Sequence, residues 1–277
     1  MLLLCSIMPF MACTSTEDES YKPETEQPSD DPNNNEEEDN DTTPVYGHLT
    51  TANTVSDVVN HEAFNGFGRF ILPAERSYND NMTLQNVASM LPYHNYITGE
   101  RAVETINTMI DYVHDGNTLF YDIYSDADKQ ADSRKNNTGL FFFRGEPGKP
   151  FAIVCPGGGF SYVGAIHEGF PLAIALSKMG YNAFSIQYRT GGAQVACEDL
   201  AGAIDFIMRH AEELQVSTDD YSLWGGSAGA RMAAYLGSYG TQGFISAVHP
   251  CPATVVMGYT GHSDYTRNDP PTYVVIG

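Results

Sequence analysis

The stretch Leu223-Trp224-Gly225-Gly226-Ser227-Ala228-Gly229-Ala230 carries the pattern Gly225-x-Ser227-x-Gly229. A serine hydroxyl is a weak nucleophile unless its geometry and a proton acceptor are arranged for it. A strand-like run precedes this pattern and a helix-like run follows it. The segment therefore reads as a strained strand-to-helix turn that points the Ser227 hydroxyl out of a sheet edge. Gly225 and Gly229 would avoid the clashes that a Cβ makes where chain passes close on both sides, and Gly226, Ala228 and Ala230 suit the same crowding. A helix starting at the nucleophile offers free N–H groups and a favourable dipole to developing negative charge. The chemistry implied is attack of Ser227 on an acyl carbonyl. The plain alternative is a glycine-rich turn with an incidental serine.

Pro156-Gly157-Gly158-Gly159-Phe160 supports the same chemistry independently. It follows the buried-strand pattern Phe151-Ala152-Ile153-Val154-Cys155 and precedes a helix-like run. Consecutive glycines let bare backbone approach a substrate. The segment resembles the loop that in α/β-hydrolases donates a backbone N–H to the oxyanion, and that resemblance implies an oxyanion hole made by Gly158 or Gly159 with Ala228, where losing one donor typically costs about 10²–10³ in rate. A flexible turn or a phosphate nest is the alternative, but the Lys-Ser/Thr pair of a phosphate-binding loop is absent here.

These loops need elements to hold them. Residues 100–114 read as a helix with Val103, Ile106, Ile110 and Val113 on one face, and Gly116 sits where a C-terminal cap glycine belongs. Thr118 to Tyr124 and Gly139 to Phe143 read as two strands of a hairpin with a long polar loop. From Pro150 onward strands (151–155, 181–187, 221–224, 254–257, 272–276) alternate with helices (169–179, 195–214, 228–237). That alternation predicts an α/β fold with right-handed crossovers and a mainly parallel sheet. Residues 45–100 show no sustained period. Gly66-Phe67-Gly68-Arg69 within them reads as a turn rather than a phosphate loop.

From about Thr118 to Gly277 the chain resembles the α/β-hydrolase esterase/lipase superfamily, and within it bacterial carbohydrate esterases of the acetyl-xylan and feruloyl type. The residues that carry the resemblance are Val154-Cys155-Pro156-Gly157-Gly158-Gly159-Phe160, the turn Met179-Gly180-Tyr181-Asn182-Ala183-Phe184, Tyr188-Arg189 and the Ser227 segment. Relatives often have His-Gly-Gly-Gly where this chain has Pro156-Gly157-Gly158-Gly159; backbone donation does not need that histidine. The resemblance implies a mostly parallel sheet with helices on both faces, a serine carboxylic-ester hydrolase needing no cofactor, and acylated carbohydrate as substrate. It also implies the chain order serine, acid, histidine. The acid would follow the strand equivalent to 272–276. The expectation is therefore an acid and a histidine beyond Gly277, a last strand and helix missing, and little or no turnover by the chain as written. Asp264 and His262, with Asp269 nearby, are weak internal candidates. His167 could contact substrate, though a surface histidine is the plainer reading, and His249 reads as loop. A noncatalytic glycan-binding surface lipoprotein and a serine peptidase of the same fold are the competing readings.

The remaining sequence divides the 277 residues into a segment 1–13, a linker 14–44, an N-terminal extension 45–117 and the hydrolase-like domain 118–277. Met1 to Ala12 is a short apolar run ending in Phe10-Met11-Ala12-Cys13, which resembles a lipoprotein signal without its basic start. Cys13 would then carry lipid and hold the protein at the cell envelope, periplasmic or surface-facing. Of a net charge of −21, residues 17–41 carry −11, in a stretch too poor in apolar residues to fold. An acidic balance argues against nucleic acid as a partner, and no apolar run is long enough to span a membrane. Cys155, Cys197 and Cys251 make no complete disulfide framework and read as small core residues; no Cys/His spacing matches a zinc site.

Overall fold

The computed structural model describes residues 47–73, 75–76, 78–90 and 97–276. The proposed signal 1–13 with Cys13, and the acidic linker 14–44, lie outside the described residues. Seven strands form one sheet: β1 (Phe120–Tyr121), β2 (Gly139–Phe143), β3 (Pro150–Cys155), β4 (Asn182–Gln187), β5 (Ser217–Gly226), β6 (Thr254–Gly258) and β7 (Thr272–Val275). Their spatial order is β1-β2-β4-β3-β5-β6-β7. β1 and β2 pair antiparallel, as do β2 and β4, and every later pairing is parallel. This is the α/β-hydrolase fold. Central strands covered on both faces read as unbroken apolar runs, and all five residues of β2 and six of β4 are buried.

The helices are α1 (Val55–Val59), α2 (Gly99–His114), α3 (Asp126–Ala131), α4 (Phe170–Lys178), α5 (Ala193–Arg209), α6 (Ala211–Leu214) and α7 (Ala228–Tyr239). The single helix expected over 195–214 is two. His210 leaves helical geometry, its ring Nδ1 lies 2.8 Å from the Phe206 carbonyl oxygen, and the chain exits through Gln215 at φ 56°. No described helix is long and apolar enough to cross a membrane.

The extension shares the core of the sheet. Val55, Phe64, Ile71, Leu84, Ile106 and Ile110 are buried in one apolar cluster with Phe141, Phe170 and Phe184. Burying each such side chain contributes roughly 1.5–3 kcal/mol. Phe67 stacks on Phe120 at 4.9 Å, and Phe120 meets Phe141 edge-on at 5.1 Å, so the extension seats on the β1–β2 margin. Gly68 lies in a short 3-10 turn where a Cβ would meet the Val59 carbonyl oxygen at 2.1 Å. That close backbone approach is why the glycine is there.

The crossover from β4 to α5 is pinned by a buried ion network. Asp199 accepts from the Arg189 amide at 2.6 Å, from Arg189 Nε at 2.9 Å and from the Tyr124 hydroxyl at 2.6 Å. Arg189 also donates to Asp132 at 2.9 Å and Glu198 at 3.1 Å. Desolvation pushes the Asp199 carboxyl up while these donors hold it down. Removing one member of such a set strands the other, at a cost of about 3–5 kcal/mol.

Candidate active site

β5 ends at Gly226 and α7 begins at Ala228, leaving Ser227 between them at φ 50°, ψ −118°. A non-glycine residue at such angles lies outside even the left-handed helical well and is strained. Three contacts over-determine it. The Ser227 N–H donates to the Gly258 carbonyl of β6 at 3.0 Å, and the Arg231 N–H reaches the Ser227 carbonyl at 3.3 Å. The start of α7 also lies directly on the end of β3, where a Cβ on Gly229 would sit 1.8 Å from the Cys155 carbonyl oxygen. Ser227 is half-buried, whereas Ala228 to Ala230 are buried.

The glycine loop after β3 meets this turn. A Cβ on Gly157 would lie 2.8 Å from the Gly226 carbonyl oxygen and 3.1 Å from Ser227 Cβ. Gly158 and Gly159 take φ 139° and 62°, which only glycine adopts without strain. Among the described residues, the N–H groups of Gly158, Gly159 and Ala228 donate to no protein acceptor. The N–H of Gly157, by contrast, is committed to Glu168 Oε2 at 2.7 Å. The structure therefore leaves free donors on both sides of the serine, one set on the loop and one at the helix start.

A cavity of about 520 Å³ opens over Ser227, lined by Gly158, Gly159, Tyr162, Glu168, Tyr259 and Arg76. Glu168 ties its floor together. Its second oxygen accepts from the Tyr259 hydroxyl, so one carboxylate joins the glycine loop to the segment after β6. Its side chain is only 10% exposed. Neither Glu168 nor Tyr259 carries a local sequence signal; each is placed by contacts 11 and 91 residues away. Arg76 comes from the extension, in the region without period, so spacing could not point to it.

His167 corrects the plainer sequence reading. It is buried, not at the surface, with Nε2 3.6 Å from Glu168 Oε1. A π-helical turn over Ala165–Gly169 turns it inward, and Gly164 makes the room, since a Cβ there would lie 2.5 Å from the ring. His262 and Asp264 are held elsewhere. The His262 ring packs edge-on against Tyr235 at 4.9 Å, and Asp264 accepts from the Tyr239 hydroxyl. Asp269 accepts from Ser238 at 3.0 Å. These partners lie on the far half of α7; at 1.5 Å per residue, Tyr235 and Tyr239 are about 12 and 18 Å along the axis from Ser227. His249 pairs with Asp205 at 2.8 Å. No histidine among the described residues lines the Ser227 cavity. Cys155 and Cys197 are buried, and burial pushes the Cys197 thiol up to about 12. Cys251 is exposed, on a loop between Pro250 and Pro252, so the core reading fails there.

A sheet in this order, with a strained serine between β5 and α7 beside a glycine loop after β3, defines the molecule as an α/β-hydrolase fold. Residues 144–253, from the end of β2 to the start of β6, match the family model described as BD-FAE. Among solved structures, esterase 2 of Thermogutta terrifontis is similar at 18% identity over 44% of this chain and 50% of that one, with a TM-score of 0.40. MGS-M1, an α/β hydrolase from a Medee basin deep-sea metagenome library, matches at 23% identity over 50% of this chain and 58% of that one, TM-score 0.40. The sugar hydrolase YeeB of Lactococcus lactis matches at 22% over 50% and 65%, TM-score 0.41. The chain thus spans about half to two thirds of the length of these structures. No curated protein matches it.

Proposed function

We propose that the protein is a serine carboxylic-ester hydrolase acting on acylated carbohydrate. The observation that carries this reading is the pairing of a strained, half-buried Ser227 with unengaged N–H groups of Gly158, Gly159 and Ala228 around one cavity. In the reaction, Ser227 Oγ bonds to the acyl carbon, the carbonyl oxygen takes the negative charge, and those N–H groups stabilise it. Collapse expels the alcohol with a proton, and water releases the acyl group from Ser227 by the reverse sequence. A proton acceptor for Ser227 is required in addition to the residues that line the cavity. The carbohydrate part rests on the sequence resemblance. In the same reading Cys13 carries a lipid anchor at the cell envelope.

The second reading is a noncatalytic glycan-binding protein of the same fold. A fluorophosphonate probe separates the two. The esterase reading expects an adduct on the Ser227 peptide by mass spectrometry, and short-chain aryl-ester hydrolysis abolished by Ser227→Ala. A protein that takes no adduct and hydrolyses no ester overturns it, as does turnover that survives Ser227→Ala.

A further inference from the structure

The cavity over Ser227 is not made by the hydrolase-like region alone. Arg76, from the extension, lines it together with Gly158, Gly159 and Ser227. The guanidinium carbon lies 5.0 Å from the centre of the Tyr162 ring, a cation–π contact that holds the side chain against the wall. Among the described residues it has no carboxylate partner and donates no hydrogen bond. Arg76 is the arginine that lines the cavity over Ser227.

Its position is fixed by its neighbour. Glu75 accepts from the Val163 amide at 3.3 Å with one oxygen and from Gln187 Nε2 at 3.1 Å with the other. Those two contacts tie residue 75 to the exit of the glycine loop and to the end of β4, and so commit the adjacent carboxylate to anchoring rather than to neutralising Arg76. The acid that lines the cavity, Glu168, accepts from the Gly157 amide and the Tyr259 hydroxyl. Neither Glu75 nor Glu168 forms an ion pair with Arg76, whose planar guanidinium carries five donors.

We infer that Arg76 is a specificity residue that recognises a carboxylate on the substrate, so that the preferred esters are acidic ones. The carboxylate belongs either to the sugar, as in an acetylated uronic acid glycoside, or to the acyl group, as in a hemisuccinate. This inference rests on the esterase reading for its chemistry, but its test does not need turnover. Binding to the Ser227→Ala protein is measured by ligand-observed NMR for two matched pairs: acetylated methyl glucuronide against acetylated methyl xyloside, and an aryl hemisuccinate against an aryl butyrate. One acidic member should bind about tenfold more tightly than its neutral partner, and the pair that shows the difference identifies which side carries the carboxylate. Adding Arg76→Gln should erase the preference, weakening the acidic member about tenfold to the level of its neutral partner. Arg76→Lys should keep part of it, because a point charge lacks the bidentate fork. Lys149→Gln, which removes a charge at the opposite end of β3, should leave the preference intact. Equal binding within both pairs, or a preference untouched by Arg76→Gln, overturns the inference. Failure of the esterase reading shows separately, as the missing fluorophosphonate adduct on the protein with Ser227 intact.

Discussion

The backbone strain at Ser227 predicts that this residue, the nucleophile of the proposed esterase, is also a stability defect. The test compares Ser227→Gly with Ser227→Ala. Both remove the hydroxyl, which makes no hydrogen bond to the described residues, so the two variants differ only in the Cβ and its consequences. At φ 50° and ψ −118° the Cβ is the source of the strain, which costs about 1–3 kcal/mol for a non-glycine residue. Glycine removes that cost but adds about 0.5–1 kcal/mol through the larger entropy of its unfolded chain. Position 227 also precedes the first turn of α7, where glycine is tolerated a few tenths of a kcal/mol better than alanine. The terms leave Ser227→Gly more stable than Ser227→Ala by roughly 1 kcal/mol, with Ala close to the native protein. In a domain of this size that is about 2–4 °C in Tm. Urea unfolding followed by far-UV circular dichroism, with a thermal scan as a second probe, reads the difference, provided the m-value is unchanged. A glycine variant equal to or less stable than the alanine variant would refute the claim that the turn stores strain.

Two further outcomes follow from the groups around the site. Glu168→Ala strands the Gly157 amide and the Tyr259 hydroxyl and should lower stability by about 1–3 kcal/mol; Glu168→Gln, whose amide can both accept and donate, should recover most of that in the same urea assay. Equal losses in the two variants would mean that charge or packing, rather than hydrogen bonding, is what Glu168 supplies. Among the three described cysteines, a thiol reagent at pH 8 should label Cys251 rapidly and leave Cys155 and Cys197 unmodified until the protein unfolds, because burial both hides those thiols and raises them away from the thiolate form. Peptide mapping at short reaction times checks this, and labelling of Cys155 at the rate of Cys251 would contradict the fold around β3.

What could be read from the sequence was what local physics writes into neighbouring residues. The central strands announce themselves as apolar runs because both faces are covered, and the Ser227 turn announces itself because two close backbone approaches, at Gly225 and Gly229, demand glycine in a fixed spacing. The Gly158–Gly159 loop is legible because both residues take positive φ, and Gly158 also lies against the Tyr162 carbonyl. The extension was not legible. That holds for residues 47–90, whose elements are α1, of five residues, and 3-10 turns of three to seven, too short to express a period, although their side chains complete the core; α2, at 16 residues, was long enough to show its apolar face. Contacts across long stretches of chain are silent in a single sequence as well. Glu75 reaches Val163 and Gln187 across 88 and 112 residues, and Tyr259 reaches Glu168 across 91. His167 and Cys251 were misread for a related reason. Residue type gives an average exposure, whereas a π-helical turn buries the one and a proline-flanked loop exposes the other.

Among the described residues the site brings together three arrangements: a strained serine, three N–H groups without protein acceptors, and an arginine with no ion-pair partner. Each can persist only where the surroundings over-determine it, and here each has an identifiable restraint. The serine is clamped between β3, β6 and α7; the glycine loop is tied down by Glu168; and the arginine is positioned by Glu75. The restraints themselves are well satisfied, with both oxygens of Glu75 and both of Glu168 engaged. Unsatisfied groups facing solvent, held by satisfied groups facing the protein, are what preorganisation toward a bound molecule requires. The signs of the groups are also ordered: amide donors lie nearest the serine and the full positive charge comes from the extension. An ester whose carbonyl meets the first and whose carboxylate meets the second would satisfy every open donor at once. That single pose couples the esterase reading to the inference about Arg76, and the extension's part in it is to supply the charge that residues 144–253 lack at that wall.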